Sequence, residues 1–205
     1  LLASSAASDV YKRQAEGRLC GDTVKVARDG RGHQILIISE GMGRGSRAAL
    51  DGAMGAGLLS RLLSAGFGFD AALKGVNSAL LVKSNEESLA TLDCACVDLF
   101  TGRCAFYKAG APRSYVLRHG RLTRCELASM PAGILRGITF AKRTAVLGAG
   151  DTVVLLSDGI TDADAVGLEA LLCRFQSQDQ QELADTVLAY AKAHTPADRR
   201  DDMSV

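Results

Sequence analysis

The run Ile35-Leu-Ile-Ile38, followed closely by Glu40-Gly-Met-Gly-Arg-Gly45, constrains this chain more than any other stretch. Four consecutive apolar residues, three of them β-branched, read as a short strand over His33 to Ser39, bounded by Gly30 and Gly32 before it and Gly41 after. A half-exposed strand alternates apolar with polar residues, so an unbroken run calls for cover on both faces. The glycine-rich turn then opens a helix over Ser46 to Leu63, with Leu50, Met54, Leu58, Leu59 and Leu62 near a 3.6-residue period. Gly52, Gly55 and Gly57 weaken that helix by about 1 kcal/mol each relative to alanine. A mobile helix and a closely packed one both fit.

The remaining chain divides into blocks. Phe69, Leu73, Val76 and Leu80 form one stripe of a helix over Asp70 to Val82, ended by the polar Lys83 to Glu87. Leu89 to Phe100 and Cys104 to Lys108 read as a hairpin through Thr101-Gly102, and Ser114 to Arg118 pairs with Leu122 to Cys125 through His119-Gly120. Thr152 to Ser157 reads as a buried strand ended by Asp158-Gly159. Ser177 to Ala193 reads as a last helix, with Ser177 and Gln180 spaced as a capping box, followed by a polar loop over Thr195 to Arg200. Helices and antiparallel hairpins in blocks predict an α+β fold of layered sheets flanked by helices, not a βαβ repeat.

Composition narrows the function. A chain of 205 residues suits one domain, and 24 Lys plus Arg against 23 Asp plus Glu leave no polybasic stripe, which disfavours nucleic acid as a partner. No apolar run approaches the roughly 18 residues of a membrane helix. Six cysteines without a CxxC pair, and only His33, His119 and His194, offer no structural zinc motif, so reduced, buried thiols are expected. Cys94 and Cys96 fall on one strand face and read as small core side chains. Residues 1–14, LLASSAASDVYKRQ, read as a leader foreign to the domain, which leaves 15–205 as an incomplete domain cut at both ends.

Three carboxylates stand beside glycine at strand ends: Cys20-Gly21-Asp22, Ser39-Glu40-Gly41 and Ser157-Asp158-Gly159, with Asp201-Asp202 as a fourth acidic position. Each Asp-Gly alone is most often a turn. Together, without histidine or thiolate, they suit a hard cation such as Mg²⁺ or Mn²⁺, which prefers oxygen ligands and retains water. Two such ions about 4 Å apart can activate a water for in-line attack on phosphorus.

The ordered set Gly21-Asp22, Glu40-Gly-Met-Gly-Arg-Gly45, Thr91-Leu92-Asp93, Lys108-Ala-Gly-Ala-Pro112, Leu127 to Gly133, Leu156-Ser-Asp-Gly-Ile160 and Asp201-Asp-Met-Ser204 resembles the phosphatase domains of the stage II sporulation protein E family. That family lies within the PP2C-like metal-dependent serine/threonine phosphatases, and the resemblance covers residues 18 to 205. It implies an αββα sandwich with two Mn²⁺ or Mg²⁺ ions at one edge of the central sheets. It implies hydrolysis of phosphoserine on a phosphorylated anti-anti-sigma protein by activated water, without a covalent phosphoenzyme, leading to sigma factor activation in sporulation. Carried over by position, Glu40 is the bridging ligand, the Gly41 carbonyl contacts the second metal, Asp158 and Asp201 are metal-binding aspartates, and Asp22 supports an outer shell or a third metal. Glu40, Asp158 and Asp201 are the catalytic set. Asp93 is expected to support sheet packing and not to ligate.

The family has aspartate where this chain has Glu40, which moves the carboxylate outward by about 1.5 Å, and a misplacement of about 1 Å can cost on the order of 100-fold in rate. A catalytically impaired regulatory homologue is therefore one alternative, and a stress-response phosphatase of the same superfamily is another. Arg44 and Arg47 could meet phosphate, although solvated arginines on a first helical turn are commoner. His33 and His119 sit beside turns and lack an acidic orienting partner in sequence. The resemblance further implies a cytoplasmic domain of a membrane-anchored parent, a regulatory role for the first two helices, and it allows a homodimer through them.

Overall fold

The computed structural model describes residues 20–43, 45–83 and 88–205. The leader expected over 1–14, Arg44, and the polar stop beyond Lys83 lie outside the described residues. The chain forms β1 (Asp22–Arg28), β2 (His33–Gly41), α1 (Ser46–Ser64), α2 (Phe69–Lys83), β3 (Ala90–Asp98), β4 (Arg103–Ala109), β5 (Ser114–Arg118), β6 (Arg121–Cys125), β7 (Ala141–Val146), β8 (Thr152–Val154), α3 (Asp158–Thr161), α4 (Ala165–Arg174) and α5 (Gln180–His194). A 3₁₀ turn at Ala197–Arg199 follows. A five-stranded sheet runs β1-β2-β3-β4-β7 and a three-stranded sheet runs β6-β5-β8, with every pairing antiparallel.

Strand alternation builds four layers from this order. Ile35 and Ile37 of β2, with Leu92, Cys94 and Tyr107, pack under Leu59, Leu63, Leu73 and Leu80 of α1 and α2. The residues between them point the other way: Leu36 and Ile38, with Ala95 and Phe106, meet Val116 and Leu155 of the second sheet. Beyond that sheet, Tyr115, Val154 and Leu156 pack on Leu168, Leu172, Leu183 and Val187 of α4 and α5. The result is the expected αββα sandwich, and the uninterrupted apolar run of β2 is explained because both its faces are covered.

Close packing accounts for two of the three α1 glycines. A Cβ at Gly52 would run into the Gly21 carbonyl, and one at Gly55 into the Ser39 hydroxyl, whereas Gly57 faces open space. Helix α1 thus lies directly on the strand ends of β1 and β2.

Several elements differ from expectation. Strand β1 lies at the sheet edge with both Lys25 and Val26 exposed, so it lacks a clean alternation and its apolar signal is thin. Helix α4 is short and buries only Leu168 and Leu172. The buried strand expected over Thr152 to Ser157 pairs only through Val154, after which Ser157 N–H donates to the Ser204 carbonyl at 3.0 Å. Helix α5 begins at Gln180, capped not by Ser177 but by Asp179, whose carboxylate accepts from Gln181 N and Glu182 N. The acidic side chain satisfies two otherwise orphaned amides at once and opposes the helix dipole.

Candidate metal centre

The antiparallel register of β1 and β2 sets Asp22 directly opposite Glu40, at the open end of the hairpin and on the face turned toward the second sheet. Across the gap, the chain leaves β8 at Leu155 and turns at Ser157 into α3, whose first residue is Asp158. Segment 202–204 runs beside this turn. Ser204 N–H donates to Ser157 Oγ at 2.9 Å, and the Ser204 hydroxyl donates to Asp22 Oδ2 at 2.7 Å. Asp202 is drawn inward, its Oδ2 accepting from Gly21 N at 2.5 Å, while its carbonyl accepts from Ser157 Oγ at 3.3 Å. A Cβ at Gly159 would run into that carbonyl, so glycine here permits the approach of 202 to the start of α3.

Carboxylates from both sheets therefore share one field. Burial first, and then the neighbouring Asp202 and Asp158 charges, push Asp22 up to about 6, against hydrogen bonds from Ser204 and Ser157 that pull it down. Burial and the adjacent Asp158 carboxyl hold Glu40 well above the ordinary carboxylate range, with Asp22 adding to the effect. Asp162, at the end of α3, is raised by burial and then by Asp158 and Asp201, with Arg113 partly offsetting them. Like charges held together in this way favour protons or a cation.

Asp22, Glu40 and Asp158 are neighbours, and Asp201 is exposed at the rim, its Oδ1 accepting from Asp202 N at 2.8 Å. Gly41 ends β2 beside Glu40, and its N–H donates to the Gly21 carbonyl at 3.1 Å. A Cβ at Gly41 would collide with the Ala48 carbonyl of α1, so close approach of the helix demands glycine at this position. The sequence marks Asp202, Ser157 and Ser204 only as members of the Asp201-Asp202 pair and of the motifs around Asp158 and Asp201, without a role, and does not mark Asp162. The doubled acid at 201–202 and the serines of Ser157-Asp158 and Met203-Ser204 were the available signals.

The donor set fits a hard divalent cation. Asp22 Oδ1 and Glu40 Oε2 are buried without a hydrogen-bond partner, an arrangement that costs free energy until a cation or donor arrives. Every candidate ligand is oxygen, as Mn²⁺ and Mg²⁺ prefer. Among the described residues no three His, Cys, Asp or Glu side chains are grouped so that they could hold a metal ion by themselves.

Other groups fall elsewhere. His33 does have an acidic partner, contrary to expectation, because Nδ1 lies 2.6 Å from Asp29 Oδ2 across the β1–β2 turn. That turn is at the far end of the hairpin from Asp22 and Glu40. Asp93 pairs with Lys108 in the interior, 2.8 Å apart, in keeping with a packing role. Cys94, Cys96, Cys104 and Cys125 are buried free thiols. Arg47 is half-buried on the first turn of α1. A groove of about 610 Å³ between β6 and α4, lined by Leu122, Arg124, Val166 and Glu169, lies apart from the carboxylates.

Comparison with known proteins agrees with this architecture. The sequence model described as stage II sporulation protein E matches residues 30–205. Stage II sporulation protein E of Bacillus subtilis (strain 168) is 27% identical over 195 residues, a span covering 92% of this chain and 24% of that protein. The chain thus spans about a quarter of that relative's length. The solved structure of the PP2C phosphatase domain and a fragment of the regulatory domain of the Bacillus subtilis protein superposes with a TM-score of 0.86 at 26% identity, covering 95% of this chain and 59% of that one. RsbX in complex with magnesium shares the fold, with a TM-score of 0.73 at 20% identity over 95% of this chain and 90% of its own. With its matched span, its PP2C fold and its acidic strand ends taken together, the chain belongs to the stage II sporulation protein E family.

Proposed function

We propose that residues 15–205 are the phosphatase domain of a metal-dependent protein serine phosphatase that hydrolyses phosphoserine on an anti-anti-sigma protein and so promotes sigma factor activation during sporulation. The observation that carries this reading is the pair of buried Asp22 and half-buried Glu40, each with a buried oxygen lacking a partner, facing Asp158 from the other side of the sandwich. Two divalent ions, Mn²⁺ or Mg²⁺, held by Glu40, the Gly41 carbonyl, Asp158 and Asp201 with support from Asp22, would supply charge neutralisation and an activated water. The protein's own part is positional. Ser204 and Ser157 fix the orientation of Asp22 and of segment 202–204, and Gly159 lets that segment close on α3. No nucleophilic side chain is required of the chain.

Membership of the family supports the substrate class and the sporulation role. The exposed Leu50 of α1 and Val82 of α2 support these helices as regulatory surfaces through which two copies could pair. Among the described residues no helix is long and apolar enough to cross a membrane. We place the domain in the cytoplasm, on a membrane-anchored parent.

A catalytically impaired homologue is favoured by one observation: burial, and then the neighbouring Asp158 carboxyl, hold Glu40 well above the ordinary carboxylate range, which opposes the charged form a bridging ligand needs. The test is Mn²⁺-dependent release of phosphate from a phosphoserine anti-anti-sigma protein, run with the chain beside Glu40→Asp. Comparable rates support the active reading, activity in the aspartate form alone supports the impaired one, and no activity in either overturns the phosphatase assignment. A stress-response anti-anti-sigma protein dephosphorylated faster than the sporulation one would move the chain to the other branch.

A further inference from the structure

Lys108 and Asp93 have side chains only 0% and 1% exposed. The Lys108 ammonium lies 2.8 Å from Asp93 Oδ2 and donates to Ser114 Oγ at 2.6 Å and to the Pro112 carbonyl at 2.5 Å, which uses all three of its donors. The Ser114 hydroxyl in turn donates to Asp93 Oδ2, whereas Asp93 Oδ1 has no hydrogen-bond partner. Asp93 and Lys108 face each other on β3 and β4 of the five-stranded sheet, while Ser114 opens β5 of the three-stranded sheet. The cluster therefore ties one sheet to the other.

Its place in the register matters. Asp93 pairs with Ile38, the residue next before Glu40 on the same face of β2. On the other side β5 pairs with β8, Tyr115 opposite Val154, and β8 leads to Asp158. The rest of this layer is apolar, built from Ile38, Ala95, Phe106, Val116 and Leu155. Apolar contact is non-directional, so it holds the sheets together without fixing their offset. Hydrogen bonds to a buried charge are directional and short, so they do fix it.

We propose that Asp93, Lys108 and Ser114 form a positioning unit that sets the offset between the strand ends carrying Glu40 and Asp158, and through it the affinity for the divalent cation. The inference rests on the metal-centre reading above. The competing view is that the pair only stabilises the core, a role that well-packed apolar residues can often fill.

The test measures Mn²⁺ binding by titration calorimetry and unfolding by thermal denaturation in chelator, on the 205-residue chain. Ser114→Ala cuts the inter-sheet hydroxyl bond and leaves both charges in one sheet, and is expected to weaken Mn²⁺ binding about 10- to 100-fold, as loss of an outer-shell partner does. Ser114→Thr retains the hydroxyl and should recover the affinity. Asp93→Leu combined with Lys108→Met should keep or raise the unfolding midpoint while Mn²⁺ affinity stays about 10- to 100-fold down. Parental affinity in the double variant, or in a folded Ser114→Ala, overturns the inference and leaves the metal centre standing. A parent chain that takes up no Mn²⁺ overturns both.

Discussion

Replacing Asp22 by asparagine is expected to stabilise the metal-free protein at neutral pH and to leave it unchanged in acid. Asp22 is 1% exposed, and its carboxyl is moved from 3.8 to about 6 because burial penalises the ion more than the Ser204 and Ser157 hydrogen bonds favour it. A carboxyl whose folded pKa lies above its unfolded value holds its proton more tightly in the folded state. The stability it contributes is fully present below the unfolded value and is lost as pH rises through the folded one. A shift of about two units corresponds to about 3 kcal/mol lost above both. Asparagine cannot ionise, yet its amide oxygen still accepts from the Ser204 hydroxyl, so it should recover most of that loss. For a chain of this size the gain amounts to a rise of about 6–12 °C in unfolding midpoint at the upper limit. The assay is thermal unfolding in chelator at about pH 7.5 and about pH 4, repeated at the higher pH with Mn²⁺. Mn²⁺ should raise the parent's midpoint much more than the variant's, because the cation relieves the same charge. An Asp22→Asn protein less stable than its parent at the higher pH, or offset equally at both, would refute the argument from burial.

Gly159→Ala should cost about 1–3 kcal/mol by overpacking, since its Cβ meets the Asp202 carbonyl, and should weaken Mn²⁺ binding by displacing segment 201–202. Urea unfolding and calorimetry check both, and unchanged Mn²⁺ affinity would separate that segment from the metal centre. Asp179→Ala should cost about 1 kcal/mol by uncapping α5 without touching Mn²⁺ affinity, and Ser177→Ala should cost less, because Ser177 accepts only from Asp179 N at 3.1 Å. The reverse order in urea unfolding would restore Ser177 as the cap.

The parts of the fold that could be read from sequence are those whose residues see the same environment on every turn or every pleat. Strand β2 and helices α1 and α2 are of this kind, because Ile35, Ile37, Leu59, Leu73 and Leu80 all face one continuous core. Strand β1 carries no such signal because it is an edge strand whose few apolar contacts are split between faces: Val24 meets the second sheet, Ala27 meets the helix-side core, and Lys25 and Val26 between them are exposed. Helix α4 carries little signal because Ala165 to Arg174 buries a single short stripe. The cap of α5 differs from the Ser177 that the spacing suggests because a capping-box spacing is met by chance in a polar stretch, and only the backbone path decides whether Ser177 or Asp179 stands at the helix start.

The acidic site was legible as a set of positions, but its pairing was not. Sequence gives no reason to place Asp22 opposite Glu40, since that follows from the length of the β1–β2 turn, nor to turn Asp202 inward and leave Asp201 at the rim. Once paired, the residues explain each other. Buried carboxylates side by side oppose folding, and the Ser204 and Ser157 hydrogen bonds only partly offset the burial of Asp22. Asp93 shows how this fold satisfies a buried carboxylate away from that end of the sandwich, since it receives an ammonium and a hydroxyl on one oxygen. Asp22 and Glu40 receive no such ammonium from the described residues. Among the described residues the same interior thus neutralises one acid with lysine and gives two others no such partner. That contrast, more than the number of acids, is the physical argument behind the proposal of a cation at the β1–β2 end of the sandwich.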